Sequence, residues 1–323
     1  MHYLLIANSP FTVINFRKEL IRFYELKIDR VSMNPLSELS LLFHLYKSIK
    51  KINPDIVLNY TIKPTLYASL LGGGMGRRKI YSNITGLGYM FSKKGIIGST
   101  LAIMIQIFYR IAFLFNEKVF FQNPDDMLLF TDKKILPKRK AVLIHGSGVN
   151  TNDFSSLSRH NTVDAKAMKF LFVGRLLKDK GIFEFIEAAM IIKKKHPAAV
   201  FYIAGGFDSN PMSLTESELN KYIELGAIEY LGNVKDIKSV YEASDIFILP
   251  SYREGTPRST LEAMSMSMPV ITTEVPGCRE TVVNEYNGYL IPPRDSYLLA
   301  KAIEKFISDP KLVLSMGEAS REI

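Results

Sequence analysis

The sequence predicts two α/β domains in tandem, each built on a doubly wound parallel sheet. Its 323 residues are enough for two domains of ordinary size. Short apolar runs alternate with stretches of helical periodicity, which is typical of parallel sheets with both faces covered. The alternation pauses over residues 145–168, where Gly, Ser, Asn, Thr and Asp prevail, as they do in interdomain connections. We therefore expect domains at residues 1–150 and 151–323.

Apolar runs bounded by turn residues predict the strands of both domains. They lie at residues 2–7, 55–58, 79–82, 118–121 and 141–144, and then at 169–173, 200–204, 228–231, 246–249, 270–272 and 289–291. Helices are expected between them at 13–24, 38–50, 64–74, 182–196, 216–225, 237–243, 259–265 and 298–308. Ligands of such folds bind at the carboxyl ends of the strands, so functional residues are expected in the loops that follow strands.

Composition and charge exclude several classes of protein. Apolar residues make up 47% of the chain and charged residues 23%, which excludes disorder, collagen-like repeats and coiled coil. A single cysteine, Cys278, excludes a disulfide scaffold and a cysteine-based metal site. The formal net charge of +9 suggests an anionic partner or, equally, a solubility charge. No aromatic-basic strand or reading helix supports nucleic acid as that partner.

The segment FVGRLLKDKG, residues 172–181, opens the second domain. A predicted strand ends at Gly174, and Arg175 and Lys180 flank the turn into the next helix. Helix N-termini bind phosphate through N–H groups and the helix dipole, and Arg and Lys add positive charge. The segment therefore predicts a diphosphate site. The alternative is a turn with two solvated basic residues.

The segment PSYREGTPRSTLEAM, residues 250–264, follows another predicted strand. Glu254 lies in the loop and Glu262 lies eight residues later on the next helix. Carboxylates accept hydrogen bonds from vicinal sugar hydroxyls, and Gly255 lets the backbone approach a ligand closely. Thr256 begins a row of N–H donors at a helix start. The spacing alone leaves open that Glu254 is a loop charge and Glu262 a surface carboxylate.

A third strand–loop–helix edge lies at residues 275–282 and 287–293, and by itself it is equally an ordinary loop. Together the three segments resemble the retaining glycosyltransferases of family 4. The Glu254-x7-Glu262 spacing, Gly174-Arg175 and Lys180-Gly181 match motifs of that family. The resemblance implies the GT-B architecture, which has two Rossmann-like domains with the active site in the cleft between them. It also implies a nucleotide-sugar donor and no bound metal.

The resemblance assigns donor contacts residue by residue. Arg175 and Lys180 would bind the donor diphosphate and stabilise it as the leaving group. Glu254 would contact the donor sugar and Glu262 the ribose hydroxyls. Gly174, Gly255, Thr256 and Gly148 complete the set of donor-binding residues that it implies.

Four further segments, at residues 60–67, 83–91, 145–150 and 276–281, resemble a bacterial branch of this family. The branch uses polyprenyl-diphosphate-linked sugars as acceptors and includes bacillosaminyl-lipid N-acetylgalactosaminyltransferases. It implies a UDP-sugar donor, a lipid-linked saccharide acceptor and a peripheral location on the cytoplasmic face of the inner membrane. The acceptor-side candidates are Lys63, Gly86, Gly88 and Tyr89, although the two glycines equally suit backbone geometry alone.

The chain departs from the family pattern at three places. Ser265 and Ser267 stand where small Ala and Gly are usual, and residues 61–63, Thr-Ile-Lys, replace a motif histidine. A role that depends on that histidine therefore does not transfer. The family usually continues for some tens of residues beyond position 323, so we expect the C-terminal tail to be missing.

Residues 96–115 form an apolar stretch with a single charge, Arg110. Its length is sufficient for a membrane-spanning helix. However, Ser99, Gln106 and Arg110 fall on one helical face, and an internal Arg is costly in a bilayer. We expect a helix of the first domain that is partly buried and partly able to enter the membrane interface, with a fully buried core helix as the alternative. Basic residues at 77–79 and 93–94 favour an anionic membrane surface.

The sequence therefore predicts a retaining glycosyltransferase that moves a hexose or N-acetylhexosamine from a UDP-sugar to a polyprenyl-diphosphate-linked saccharide. The product would be a cell-surface polysaccharide or glycan. One alternative is a nucleotide-sugar 2-epimerase on the same architecture, which needs no acceptor. The other is a nucleotide-sugar-binding protein that has lost activity.

Overall fold

A computed structural model describes residues 3–7, 34–76, 79–86, 96–155, 164, 167–208, 210 and 212–323. The chain divides into two compact units, Met1–Ser147 and Gly148–Ile323. This division lies close to the boundary expected at residue 150. From the sequence we expect the first domain to bind the acceptor and the second to bind the nucleotide sugar, and these roles stay predictions.

The first unit contains a parallel sheet with the strands in chain order. The strands are β1 (Tyr3–Ile6), β2 (Ile56–Tyr60), β3 (Lys79–Ile84), β4 (Lys118–Phe121) and β5 (Ala141–Leu143). The helices are α1 (Pro35–Ile52), α2 (Ile62–Gly74), α3 (Ile96–Leu114) and α4 (Pro124–Asp132). Side chains of all four helices share buried clusters with residues of one sheet face, so these helices cover that face.

The core of the first unit lies between that sheet face and the four helices. Alternate strand residues such as Val57, Ile80 and Phe121 are buried, and helix residues such as Ile49 and Phe113 pack on them. A buried polar network lies on the same face of the sheet. Its members are connected by hydrogen bonds of 2.7–3.4 Å; they are Asn59, Ser69, Ser82 and Asn116. These bonds satisfy polar groups that would otherwise be costly to bury.

The second unit contains a six-stranded parallel sheet in the order β11-β10-β9-β6-β7-β8. The strands are β6 (Lys169–Val173), β7 (Val200–Ala204), β8 (Glu229–Gly232), β9 (Ile246–Leu249), β10 (Val270–Thr273) and β11 (Gly288–Ile291). The helices are α5 (Ile182–Lys195), α6 (Glu216–Glu224), α7 (Ile237–Glu242), α8 (Arg258–Ser265), α9 (Ser296–Ser308) and α10 (Lys311–Glu322). The strand order reverses between β6 and β9. This reversal makes the sheet doubly wound and defines its switch point.

Hydrogen bonds from the last helix connect the first residues of the second unit with helix α8. The Arg321 guanidinium donates to the carbonyl oxygens of Phe154 (3.0 Å) and Thr151 (3.3 Å), and to Ser265 on α8. Ser265 Oγ donates to Phe154 O at 2.6 Å. Ser265, a departure from the family pattern, therefore serves as an anchor for the segment that enters this unit.

Each predicted strand is present, with ends that differ by a few residues at most. The helix expected at residues 13–24 lies outside the described residues. Helices α4 and α10 were not predicted from the sequence. Helix α4 is only nine residues long. Helix α10 contains Gly317, which lies against the backbone of Ser267.

Candidate active site

The loops that carry the donor-side candidates lie at the switch point of the second sheet. Arg175 and Lys180 follow β6, and Glu254 follows β9, the strand that pairs with β6. A parallel sheet aligns the carboxyl ends of its strands, so the two loops meet at one edge. Ligands of doubly wound sheets bind outside the carboxyl ends of the strands at the switch point.

Arg175 forms an ion pair with a residue that the sequence analysis did not select. Its Nη1 lies 2.6 Å from Asp208 Oδ2, in the loop that follows β7. The Asp208 side chain is 16% exposed, and its second oxygen accepts from the backbone N–H of Asn210 at 2.9 Å. The Arg175 side chain is 49% exposed. Asp208 is therefore the fixed partner, and Arg175 keeps access to solvent and to a ligand.

Lys180 and Glu254 form a second ion pair through Nζ and Oε1. Ser251 Oγ lies 2.8 Å from the same Glu254 oxygen and 2.9 Å from Asp179 O. The backbone N–H of Tyr252 donates to Asp179 O at 2.8 Å. The loops after β6 and β9 are thus joined by backbone and side-chain contacts, and the two predicted residues meet in one group.

Two glycines allow the site loops to approach one another. Gly181 has φ +75°, and a Cβ there would lie 2.0 Å from Pro250 O. Gly277 has φ +87°, and a Cβ there would lie 2.3 Å from both Glu254 O and Gly255 O. The Glu254 N–H also donates to Pro276 O at 3.0 Å. Any larger residue at either position would push these loops apart.

Glu262 is held separately, on helix α8. Its Oε1 accepts from Arg258 Nε at 2.8 Å, and its Oε2 lies 3.1 Å from the hydroxyl of Tyr241. Burial raises the pKa of Glu262 above its usual range, against the attraction of Arg258. A carboxylate has about four acceptor positions, so these two partners leave capacity for ligand hydroxyls.

The start of α8 differs from the expected row of donors. The helix begins at Arg258, with Pro257 at the N-cap, so Thr256 lies just outside it. Pro257 has no N–H and interrupts the row that the sequence analysis began at Thr256. Gly255 is buried against the Gly277 loop. Gly174 directly follows β6, and its backbone N–H donates a hydrogen bond to Ala204 O. Gly148 begins the second unit in a left-handed conformation, φ +71°.

The acceptor-side candidates belong to the first unit. Lys63 Nζ is paired with Glu38 Oε1 of helix α1 at 2.7 Å, and Tyr67 donates to the other Glu38 oxygen at 2.5 Å. Gly86 follows β3 with φ +129°, a conformation that favours glycine. Gly88 and Tyr89 lie outside the described residues, as do Arg77, Arg78, Lys93 and Lys94. The acceptor role of these residues stays a prediction.

The sequence did not predict Asp208 or Ser251, because the contacts of Asp208 with Arg175 and of Ser251 with Asp179 join residues that are distant in sequence. Both follow predicted strands, β7 and β9, that flank β6. Their position after these strands was a signal for the site, but it could be used only if the order of the strands in the sheet was known. Across the described part of the chain, no three His, Cys, Asp or Glu side chains are grouped to hold a metal ion.

Cys278, the chain's single cysteine, provides a test of how tightly this site is packed. Its side chain is buried, and burial, aided by the charge of Glu254, raises the thiol pKa to about 12. At pH 8 roughly one thiol in ten thousand would be ionised. We expect the native protein to resist a thiol-specific reagent at pH 8, and the denatured protein to react once per chain. Labelling of the native protein as fast as the denatured one would contradict this packing.

Comparison with solved structures identifies the class of fold. HepE from Anabaena, in complex with UDP and glucose, superposes with a TM-score of 0.74 at 16% identity. The match covers 100% of this chain and 94% of that one. With its two parallel α/β sheets, the chain has the GT-B fold, as the sequence analysis predicted.

Two family models match successive parts of the chain. One, described as glycosyl transferases group 1, matches residues 153–323, which is more than half of the chain. The other, described as glycosyl transferase 4-like, matches residues 7–123. The chain therefore belongs to the group 1 glycosyltransferases and is a glycosyltransferase.

Two curated relatives match along most of the chain. The Campylobacter jejuni N,N'-diacetylbacillosaminyl-diphospho-undecaprenol α-1,3-N-acetylgalactosaminyltransferase is 28% identical, over 90% of this chain and 78% of its own length. The Escherichia coli UDP-Gal:α-D-GlcNAc-diphosphoundecaprenol α-1,3-galactosyltransferase is 26% identical, over 88% of this chain and 74% of its own length. The first of these belongs to the branch that the sequence analysis had singled out.

Proposed function

We propose that this glycosyltransferase moves a hexose or N-acetylhexosamine from a UDP-sugar to a polyprenyl-diphosphate-linked saccharide, with retention at the anomeric carbon. The single observation that carries the donor half is the ion pair of Lys180 and Glu254 at the switch point, in loops of which one also carries Arg175. Both relatives support the acceptor half, because each acts on a diphospho-undecaprenol-linked sugar. HepE, which has the same fold, binds UDP and glucose and thereby supports the donor.

In the proposed reaction the basic side chains act on the leaving group. The bond between the anomeric carbon and the diphosphate oxygen breaks, and the electron pair stays on UDP. Lys180 and Arg175 stabilise that negative charge, as preorganised cations do at developing charge. The acceptor hydroxyl attacks from the same face and passes its proton to a β-phosphate oxygen. The new glycosidic bond therefore keeps the donor's configuration.

Glu254 is a binding group in this proposal and not a nucleophile. Its carboxylate is neutralised by Lys180 and approached by Ser251, so it suits hydrogen bonds from sugar hydroxyls. When the donor binds, Lys180 would lie between this carboxylate and the diphosphate. Glu262, with acceptor positions remaining, would take the ribose hydroxyls. No metal is assigned a role.

We place the reaction on the cytoplasmic face of the inner membrane. A charged nucleotide sugar is costly to move across a bilayer, so it meets its acceptor on the side where it is made. A polyprenyl chain keeps the acceptor in the membrane, so the enzyme works as a peripheral protein. None of the described helices is both long and apolar enough to cross the membrane.

UDP release from a panel of UDP-sugars tests this function directly. We expect release from one donor only, and only when a membrane extract with lipid-linked saccharides is added. Epimerisation of a UDP-sugar without net release would support the 2-epimerase instead. UDP binding without turnover of any donor would indicate an inactive sugar-nucleotide-binding protein. The absence of both binding and turnover would overturn the donor site.

A further inference from the structure

The outer side of helix α3 is an exposed apolar stripe. Its inner side is buried in the first unit through Ile105, Tyr109, Ala112 and Phe113. Six large apolar side chains on the outer side are 44–71% exposed; they are Ile103, Met104, Ile107, Phe108, Ile111 and Leu114. They recur at the spacing of helical turns, so they form one continuous stripe. The helix is therefore not the fully buried core helix that the sequence left open.

The size of this α3 stripe calls for a partner. Six half-exposed side chains of this kind present on the order of 500 Å² of apolar surface, as large as the largest apolar patch of a typical monomer, and such patches are often binding sites. An exposed apolar stripe is also costly to keep in water. The stripe lies in the first unit, whereas Lys180 and Glu254 lie in the second.

Helix α1 presents a second apolar surface toward the same side. Both helices pack against α2, and all three cover one face of the sheet, so their outer sides point away from it. The exposed apolar residues of α1 are Leu36, Leu39, Phe43 and Tyr46. Lys47 Nζ lies 4.3 Å from the Phe43 ring centre, and Lys50 Nζ lies 5.9 Å from that of Tyr46. Lysines interleaved with aromatic rings are typical of helices at a membrane surface.

Positive charge is concentrated in the unit that carries these helices. Residues 1–147 contain 21 Lys and Arg against 9 Asp and Glu, a net charge of +12. Residues 148–323 contain 20 against 23, a net charge of −3. The whole basic excess of the chain therefore belongs to the first unit.

Basic residues surround the C-terminal end of α3. Lys140 Nζ donates to Phe113 O and Leu114 O, both at 3.0 Å, and so caps the helix. Lys118 Nζ donates to Arg139 O at 2.7 Å, and Arg110 of α3 donates to Lys133 O at 2.7 Å. The C-terminal part of α3 therefore lies beside chain segments that carry a basic cluster of Lys118, Lys133, Lys138, Arg139 and Lys140.

We propose that the outer sides of α1 and α3 dock on an anionic lipid bilayer, with α3 lying in the plane of the interface. The apolar stripe would enter the boundary between headgroups and acyl chains, and the basic cluster would contact the anionic headgroups. A second copy of the chain fits poorly as the partner, because two units of charge +12 repel. An uncharged apolar partner leaves the basic cluster without a role. The surface is argued from its own residues and does not rest on the sugar-transfer proposal.

Vesicle flotation of the 323-residue chain tests the docking surface. The probes are vesicles of phosphatidylcholine alone and vesicles with a third of phosphatidylglycerol. We expect the wild type to float with the anionic vesicles and to be released by high salt. The variant I107S/I111S should bind at least about tenfold more weakly, because it removes buried apolar area. The variant K138A/R139A should lose mainly the preference for anionic lipid.

The matched control is L225S/L314S, which replaces two exposed leucines of the second unit. It should float as the wild type does. All variants are expected to keep their circular dichroism and UDP binding, because the replaced side chains are exposed. Equal flotation of I107S/I111S and the wild type, or no flotation of the wild type, overturns the proposal. A wild-type dimer that I107S/I111S converts to a monomer, with no vesicle binding, overturns it in favour of self-association.

Discussion

Replacing Lys180 with Met is expected to lower kcat by roughly two to three orders of magnitude, the loss typical of removing one group that stabilises a developing charge. Lys180 would contact the donor diphosphate, where negative charge grows as the sugar leaves. Met keeps most of the aliphatic chain and removes only the cation. The measurement is acceptor-dependent UDP release at saturating donor, with substrate binding followed separately by calorimetry.

Two comparison variants separate this chemical loss from a structural one. Lys178→Met removes the same charge from the same turn, where the side chain is exposed, and should keep kcat near the wild-type value. Lys180→Met alone leaves the Glu254 carboxylate, only 10% exposed, without its cation, which is destabilising. Adding Glu254→Gln removes that negative charge. If the double variant regains stability and also kcat, Lys180 acts only by holding Glu254, and its diphosphate role is refuted.

Replacing Gly277 with Ala is expected to destabilise the second unit by roughly 3 kcal/mol or more, because the added methyl group overlaps the backbone on two sides. Its Cβ would lie 2.3 Å from the carbonyl oxygens of Glu254 and Gly255. To fit, the Glu254 loop must move away from Lys180, so donor binding should weaken as well. Urea unfolding measures the stability, and the labelling rate of the neighbouring Cys278 thiol reports the local opening.

Gly226→Ala is the matched control for this substitution. Gly226 also has a left-handed backbone, φ +65°, but a Cβ there meets nothing within 4 Å. It should therefore show only the backbone cost of about 1 kcal/mol and slow Cys278 labelling like the wild type. Equal destabilisation by both substitutions would mean that backbone strain alone matters at Gly277. The close approach of the two site loops would then contribute nothing to the destabilisation at Gly277.

Much of this protein follows from local sequence. Strands such as Val200–Ala204 and Ile246–Leu249 are apolar runs between turn residues, and a buried parallel strand needs no more than that pattern. The spacing of Glu254 and Glu262 puts one carboxylate in a loop and the other on the following helix, as observed. Helix α10 was not predicted from the sequence, because its buried side includes small residues such as Gly317 and Ser320 and so lacks a continuous apolar stripe.

Local sequence patterns do not predict contacts between segments that are distant in the chain. Asp208 binds Arg175 because β7 lies beside β6, and Ser251 contacts Asp179 because β9 lies on the other side of β6. Strand order is a property of the whole sheet, so the periodicity of one segment does not contain it. The outer side of α3 is a similar case. Its residues are apolar on both sides, and the packing of one side on the sheet leaves the other side exposed.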